Sequence, residues 1–97
     1  MRKTLIGLAA VLTCGVGVAQ AQPVERTTDQ YTCKDIMRET GAGREVAVAF
    51  IHGYFLGKAS ATKFNLEVLG KQTDAFIERC LDNPNEKAMD AMAKVKG

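Results

Sequence analysis

Few residues of this chain combine a type and a spacing that could do chemistry. His52 is the only histidine among the 97 residues, so no histidine cluster can hold a metal ion. It lies amid Val48, Phe55 and Leu56, where a lone imidazole is expected as a half-buried helix residue rather than a general base. At its ordinary pKa it titrates too near neutrality to be the main trigger of a response to strong acid. Nucleophilic catalysis needs an activated residue beside a base, and no spacing here supplies that pair. Gly53 and Gly57 fall inside a helical pattern, not in a phosphate-binding loop. The expectation is a protein that is not an enzyme and needs no cofactor or metal. Asp74, Glu78 and Asp82 form an i, i+4 row of like charge. Left alone, such a row repels itself, and protonation would stabilise the fold. Acid destabilises through it only if cations face it, with Arg44, Lys58 and Lys63 as candidates from the same or a partner chain.

What the cysteines can do depends on the compartment, and the N-terminus sets that. Arg2 and Lys3 precede an apolar segment from Leu5 to Val18, and Ala19-Gln20-Ala21 supplies small residues two apart, the plan of a secretory signal peptide. Cleavage after Ala21 would leave Gln22 to Gly97, a mature chain of 76 residues. The competing lipoprotein reading at Cys14 is opposed by Leu12 and Thr13 where small residues are wanted. Two cysteines then remain, Cys33 and Cys80, and an even count in a small exported domain predicts a disulfide. In the chain-entropy account, closing a loop of that length is worth on the order of 4 kcal/mol. The charge argument changes as well. The full chain has 13 Lys and Arg against 11 Asp and Glu, and losing Arg2 and Lys3 leaves 11 of each. A near-neutral mature chain gives no case for binding nucleic acid or anionic lipid. Going from pH 7 to pH 2 would take its side-chain total from 0 to about +12. That much like charge should open a small fold or split a dimer.

The element that must position these residues is the run from Arg44 to Ala61, REVAVAFIHGYFLGKASA. Val46, Phe50 and Tyr54, with Ile51, Phe55 and Leu56 a step away, recur at helical spacing and form the densest apolar set, a candidate client or dimer surface. Permanent core is the plainer reading of the same residues. Ala49, Gly53, Gly57 and Ala61 fall four apart, and two glycines in register suggest close approach of another backbone, in one chain or between two. The run is too short to span a bilayer and carries His52, so no membrane anchor is expected in the mature chain. Around it, residues 22–30 read as a flexible lead-in and 31–97 as one domain. Thr32 and Asp35 suggest a capping box for a helix from Cys33 to about Glu39, and Gly41-Ala42-Gly43 a break. Residues 62–72 fit either an extended connection or a helix kinked at Gly70. A third helix is expected over Thr73 to Leu81, burying Phe76, Ile77, Cys80 and Leu81. Asn83-Pro84-Asn85-Glu86 reads as an N-cap, a first-turn proline and a capping glutamate for a last helix with Ala88, Met92 and Val95 inward. The predicted fold is all-α, about four short helices with one disulfide.

Thr32-Cys33, then Phe50-Ile51-His52-Gly53-Tyr54 with Gly57, then Phe76-Ile77-Glu78-Arg79-Cys80 and Asn83-Pro84, together resemble the HdeA/HdeB family of periplasmic acid-stress chaperones over roughly Tyr31 to Val95. The resemblance implies a small helical domain with one disulfide, located in the periplasm, folded, inactive and commonly dimeric near neutral pH. Acid would expose its apolar surface to hold acid-unfolded periplasmic proteins out of aggregates, without ATP. An exported immunity-type protein, inhibiting one specific partner through a fixed surface, is the alternative from another class.

Overall fold

Four helices make up residues 25–97, the part described by the computed structural model: α1 (Cys33–Arg38), α2 (Gly41–Lys58), α3 (Leu66–Asp82) and α4 (Ala88–Lys96). The signal peptide, its cleavage point and Cys14 lie outside the described residues. The chain is all-α as its sequence predicts, and among the described residues the only β pairing is one isolated bridge between Thr32 and Lys87.

Local chemistry sets most of the boundaries. Thr32 closes the capping box, its hydroxyl accepting from Asp35 N at 3.2 Å while Asp35 Oδ2 accepts from Thr32 N at 3.0 Å. At the other end of α1, Arg44 Nη2 donates to the carbonyls of Met37 and Glu39 at 2.9 and 3.1 Å, satisfying groups that the helix leaves without partners. The predicted break at Gly41-Ala42-Gly43 is instead the first turn of α2, with Thr40 at the N-cap position. Gly41 has φ +39°, a left-handed conformation that a side chain would strain, and it lets the chain turn from α1 into α2 within two residues. Both readings of residues 62–72 capture part of the structure. The chain is non-helical through Asn65, whose side chain accepts from Val68 N at 3.0 Å, and helical from Leu66 with Gly70 in the interior.

The start of α4 corrects the sequence reading. Asn83-Pro84-Asn85-Glu86 is a turn that ends α3, and α4 begins only at Ala88, behind Lys87, without a side-chain cap. Tertiary partners take backbone groups that a helix starting at Pro84 would have used. The carbonyls of Pro84 and Glu86 accept from Lys34 N and Cys33 N, both at 2.8 Å, and Ala88 N donates to Tyr31 O at 2.9 Å. The loop thus wraps the entry to α1 rather than opening a helix.

The core gathers Tyr31, Cys33, Ile36, Val48, Ile51, Phe76, Cys80, Ala88, Ala91 and Met92. The predicted disulfide joins Cys33 on α1 to Cys80 on α3, with their Cα atoms 4.8 Å apart. Phe76 and Cys80, one turn apart, point to the middle of the core, and Ile77 and Val95 pack at its edge. Leu81, predicted to be buried, is 63% exposed. It stands about 100° round the helix from Cys80 and farther from Phe76, so it turns off the packed face.

Candidate functional site

α2 is apolar on every side, and packing decides which side works. Val48, Ile51 and His52 are buried, with Phe55 packed beside them. Ile51, at 1% exposure, is core and not surface. Val46 and Phe50 lie on the opposite side and are 68% and 56% exposed. Tyr54, Phe55 and Leu56 are half-buried. The six residues predicted as one client or dimer surface therefore divide: two face out, one faces in and three flank. The aromatic ridge is nonetheless continuous, since the Phe50 and Tyr54 rings are 6.3 Å apart and Tyr54 meets Phe55 edge-on at 5.4 Å.

Ala49, Gly53, Gly57 and Ala61 are all exposed. A Cβ added to Gly53 or Gly57 would meet nothing within 4 Å, so no backbone among the described residues approaches there. Of the two settings the spacing allowed, close approach inside one chain is not seen at either glycine among the described residues.

Beside the ridge, α2 and α3 stand apart and leave a groove of about 520 Å³. Val48, Ala49, Gly53 and Leu56 line it from α2, and Leu66, Leu69 and Ile77 from α3. Phe64 in the connecting segment closes the lining, and it and Leu66 are 64% and 75% exposed. Large apolar side chains in contact with water around an apolar groove mark an interaction surface. His52 and Thr73 also line the groove.

His52 is 5% exposed, more buried than the sequence suggested. Its Nε2 lies 2.8 Å from Thr73 Oγ1, and the Thr73 hydroxyl donates to Leu69 O at 2.9 Å. Thr73 has one proton to give, so the imidazole is the donor and Nε2 carries the hydrogen. Nδ1 is buried with no partner. Burial first, and then the Lys96 charge, push the His52 pKa below its ordinary value. The expectation of titration near neutrality is corrected accordingly.

The carboxylates rearrange the acid-response argument. Asp74, Glu78 and Asp82 are exposed, and among the described residues no cation pairs with them. The three candidate cations are elsewhere. Arg44 serves the α1 carbonyls, Lys58 Nζ sits 5.4 Å above the Tyr54 ring, and Lys63 is exposed before α3 begins. Glu86, which the sequence assigns to a helix cap, is instead a carboxylate held by two cations. Arg79 grips it through Nε at 2.7 Å and Nη2 at 3.1 Å, and Lys94 adds Nζ at 2.6 Å. These hydrogen bonds lower the Glu86 pKa from 4.5 to about 2. A depressed carboxylate stabilises the fold above its unfolded pKa and loses that effect as pH falls through its folded pKa. Replacing Glu86→Gln should therefore lower the urea midpoint at pH 7. The gap from the unmodified protein should close as pH falls from 4.5 towards 2. A gap that stays constant over that range would show that Glu86 does not contribute as an ion.

Sequence did not point to Thr73 as the partner of His52 or to Glu86 as the partner of Arg79 and Lys94. The 21-residue separation of His52 and Thr73 and the seven of Arg79 and Glu86 cross between elements, where periodicity carries no signal. Among the described residues no group of His, Cys, Asp and Glu could hold a metal ion, and no helix is long and apolar enough to cross a membrane. Compared with known proteins, the chain matches the family model of the HdeA/HdeB family over residues 3–90. No curated protein and no solved structure matches it.

Proposed function

Because this chain belongs to the HdeA/HdeB family, known for acid-stress chaperones of the periplasm, we propose that it is itself an ATP-independent periplasmic chaperone switched on by acid. In this reading the leader is removed after Ala21, residues 31–97 act as the working domain, and no catalytic step is involved. The observation that carries it is the apolar surface already present on the folded chain: Val46 and Phe50 on the outer side of α2, and the groove edged by Phe64 and Leu66. Near neutral pH a second copy of the chain would cover this surface, with the open positions at Gly53 and Gly57 allowing two α2 helices to cross closely. In acid, loss of that cover and opening of the groove would release it, together with Tyr54, Phe55 and Leu56, to acid-unfolded periplasmic proteins.

The test is suppression of acid-induced aggregation of several unrelated periplasmic proteins by the mature chain, with apolar-dye binding followed against pH. Protection is expected in acid and not near neutral pH. A Val46→Ser/Phe50→Ser double variant should fold and open almost as the unmodified chain does, because both side chains are mostly in water. It should need several-fold more protein for the same protection. Equal protection by the variant would place the client surface elsewhere. Tight binding of one folded partner at neutral pH, with no general protection in acid, would favour the fixed-surface inhibitor.

A further inference from the structure

We propose that His52 is an acid-operated latch: its neutral imidazole ties α2 to Thr73 of α3 across the groove, and a proton added at Nδ1 releases the two helices. The inference rests on the acid-opening reading above and assigns its regulation to one side chain.

Three structural features support it. First, among the described residues the His52–Thr73 contact is the one side-chain hydrogen bond between α2 and α3, and the groove separates the helices alongside it. Second, the polarity of the contact is fixed. With the Thr73 proton given to Leu69 O, Nε2 must donate, and Nδ1 is left as an acceptor that no group among the described residues meets. A second proton would thus create a buried N–H with no acceptor and a buried cation with no counter-ion. Third, the charged surroundings do not offset that cost. From α4 the group facing the ring is Lys96, itself a cation, whose Nζ donates to Gln72 Oε1 at 2.7 Å. The α3 residues lining the groove carry no charge. α2 offers only Arg44 and Glu45 two turns away, and Arg44 is committed to the α1 carbonyls. The Leu69 backbone favours the charged ring, but burial and Lys96 outweigh it, so the imidazolium gains full solvation by leaving the site, which opens the groove and exposes its walls.

The sign follows from linkage. In the closed state the ring resists protonation, while in the open chain it has an ordinary pKa near 6.5. Its contribution to the closed state is full above that pH and is lost as pH falls through the closed-state value. One proton is linked to opening in this range.

The experiment compares the mature protein with His52→Gln, whose amide N–H can still donate to Thr73 but cannot titrate. The opening constant is measured by urea titration at a series of pH values below 6.5. The unmodified protein should open up to about tenfold more per pH unit than His52→Gln does, the factor for one linked proton. Thr73→Val, which removes the acceptor, should open at higher pH than either. Ring nitrogen NMR of the unmodified protein should find the Nε2–H tautomer, still neutral below pH 6.5 while the fold is closed. Coincident pH slopes, or an imidazole that charges at or above pH 6.5 in the closed state, would overturn the latch. Client aggregation measured in parallel keeps the two readings apart. His-linked opening without client protection sinks the chaperone and leaves the latch, whereas protection with coincident slopes does the reverse.

Discussion

Replacing both Cys33 and Cys80 by alanine should cost about 4 kcal/mol and leave the domain marginal at neutral pH. The bridge spans 47 residues of sequence, so its absence releases a long stretch of unfolded chain, and both sulfurs sit at 0% exposure. A small domain has roughly 5 kcal/mol or somewhat more in total, so this one link carries much of what is available. The other ties of α1 to the far end of the chain are single backbone hydrogen bonds: Cys33 N and Lys34 N to the carbonyls of the 83–87 loop, and Tyr31 O to Ala88 N. The bridge also behaves differently in acid from the His52 contact and the Glu86 ion pairs, because it does not titrate. The oxidised protein should keep α1 and α3 joined at pH 2 and recover its helical circular dichroism on neutralisation, whereas the alanine variant should recover it incompletely. Urea unfolding at pH 7 measures the first effect directly. A loss below about 1 kcal/mol would show that buried packing, not the cross-link, fixes α1.

The acid-sensitive contacts fall in separate pH ranges. The His52 contribution begins to fade below about 6.5, the ordinary histidine value. The contribution of the Arg79–Glu86–Lys94 cluster begins to fade only below about 4.5 and is lost as pH approaches 2. The first joins α2 to α3 at the groove, and the second ties the 83–87 loop to α3 and α4. Falling pH therefore loosens the α2 side of the molecule while the α1–α3–α4 side is still held by the disulfide and the Glu86 cluster. The helix released first is the one that carries the exposed apolar ridge.

Which parts of this were readable from sequence follows from where the information lies. The capping box at Thr32 and Asp35 is a four-residue signal whose chemistry is satisfied within its own turn, and it appears as expected. The disulfide was readable because compartment and an even cysteine count decide it without geometry. α2 was legible as a helix but not as a set of faces. Val46 and Phe50 sit about 160° round the helix from Val48, and an apolar residue on every side leaves the periodicity with nothing to orient it. Asn83-Pro84-Asn85-Glu86 misled for the opposite reason. Its local pattern is a good N-cap, yet Arg79 and Lys94 claim Glu86, and α1 claims the loop carbonyls. At His52 the residue type was visible and its burial was not. Burial depends on α3 and α4 arriving beside it, and it moves the pKa in the direction that makes the residue acid-sensitive.

Phe76→Ala should cost about 3–5 kcal/mol, because the ring is fully buried at the centre of the core and deleting it leaves a cavity. The effect on function should take the form of a displaced pH. If about three protons are linked to opening, a loss of 4 kcal/mol raises the opening midpoint by about one pH unit. Client protection should move up with it, since a less stable fold exposes the same apolar surface under milder acid. Phe50→Ser predicts the contrary pattern. That ring is already 56% in water, so its removal should cost about 1 kcal/mol or less and leave the opening pH nearly unchanged, while protection weakens at every pH. One substitution thus changes when the surface appears, and the other changes how well it binds. Measuring dye binding and client aggregation side by side from pH 7 to pH 2 separates the two. A Phe76→Ala protein that opens early but protects only at the original pH would mean that exposure alone does not make the chain a chaperone. The positive charge gained in stronger acid would then be a second requirement.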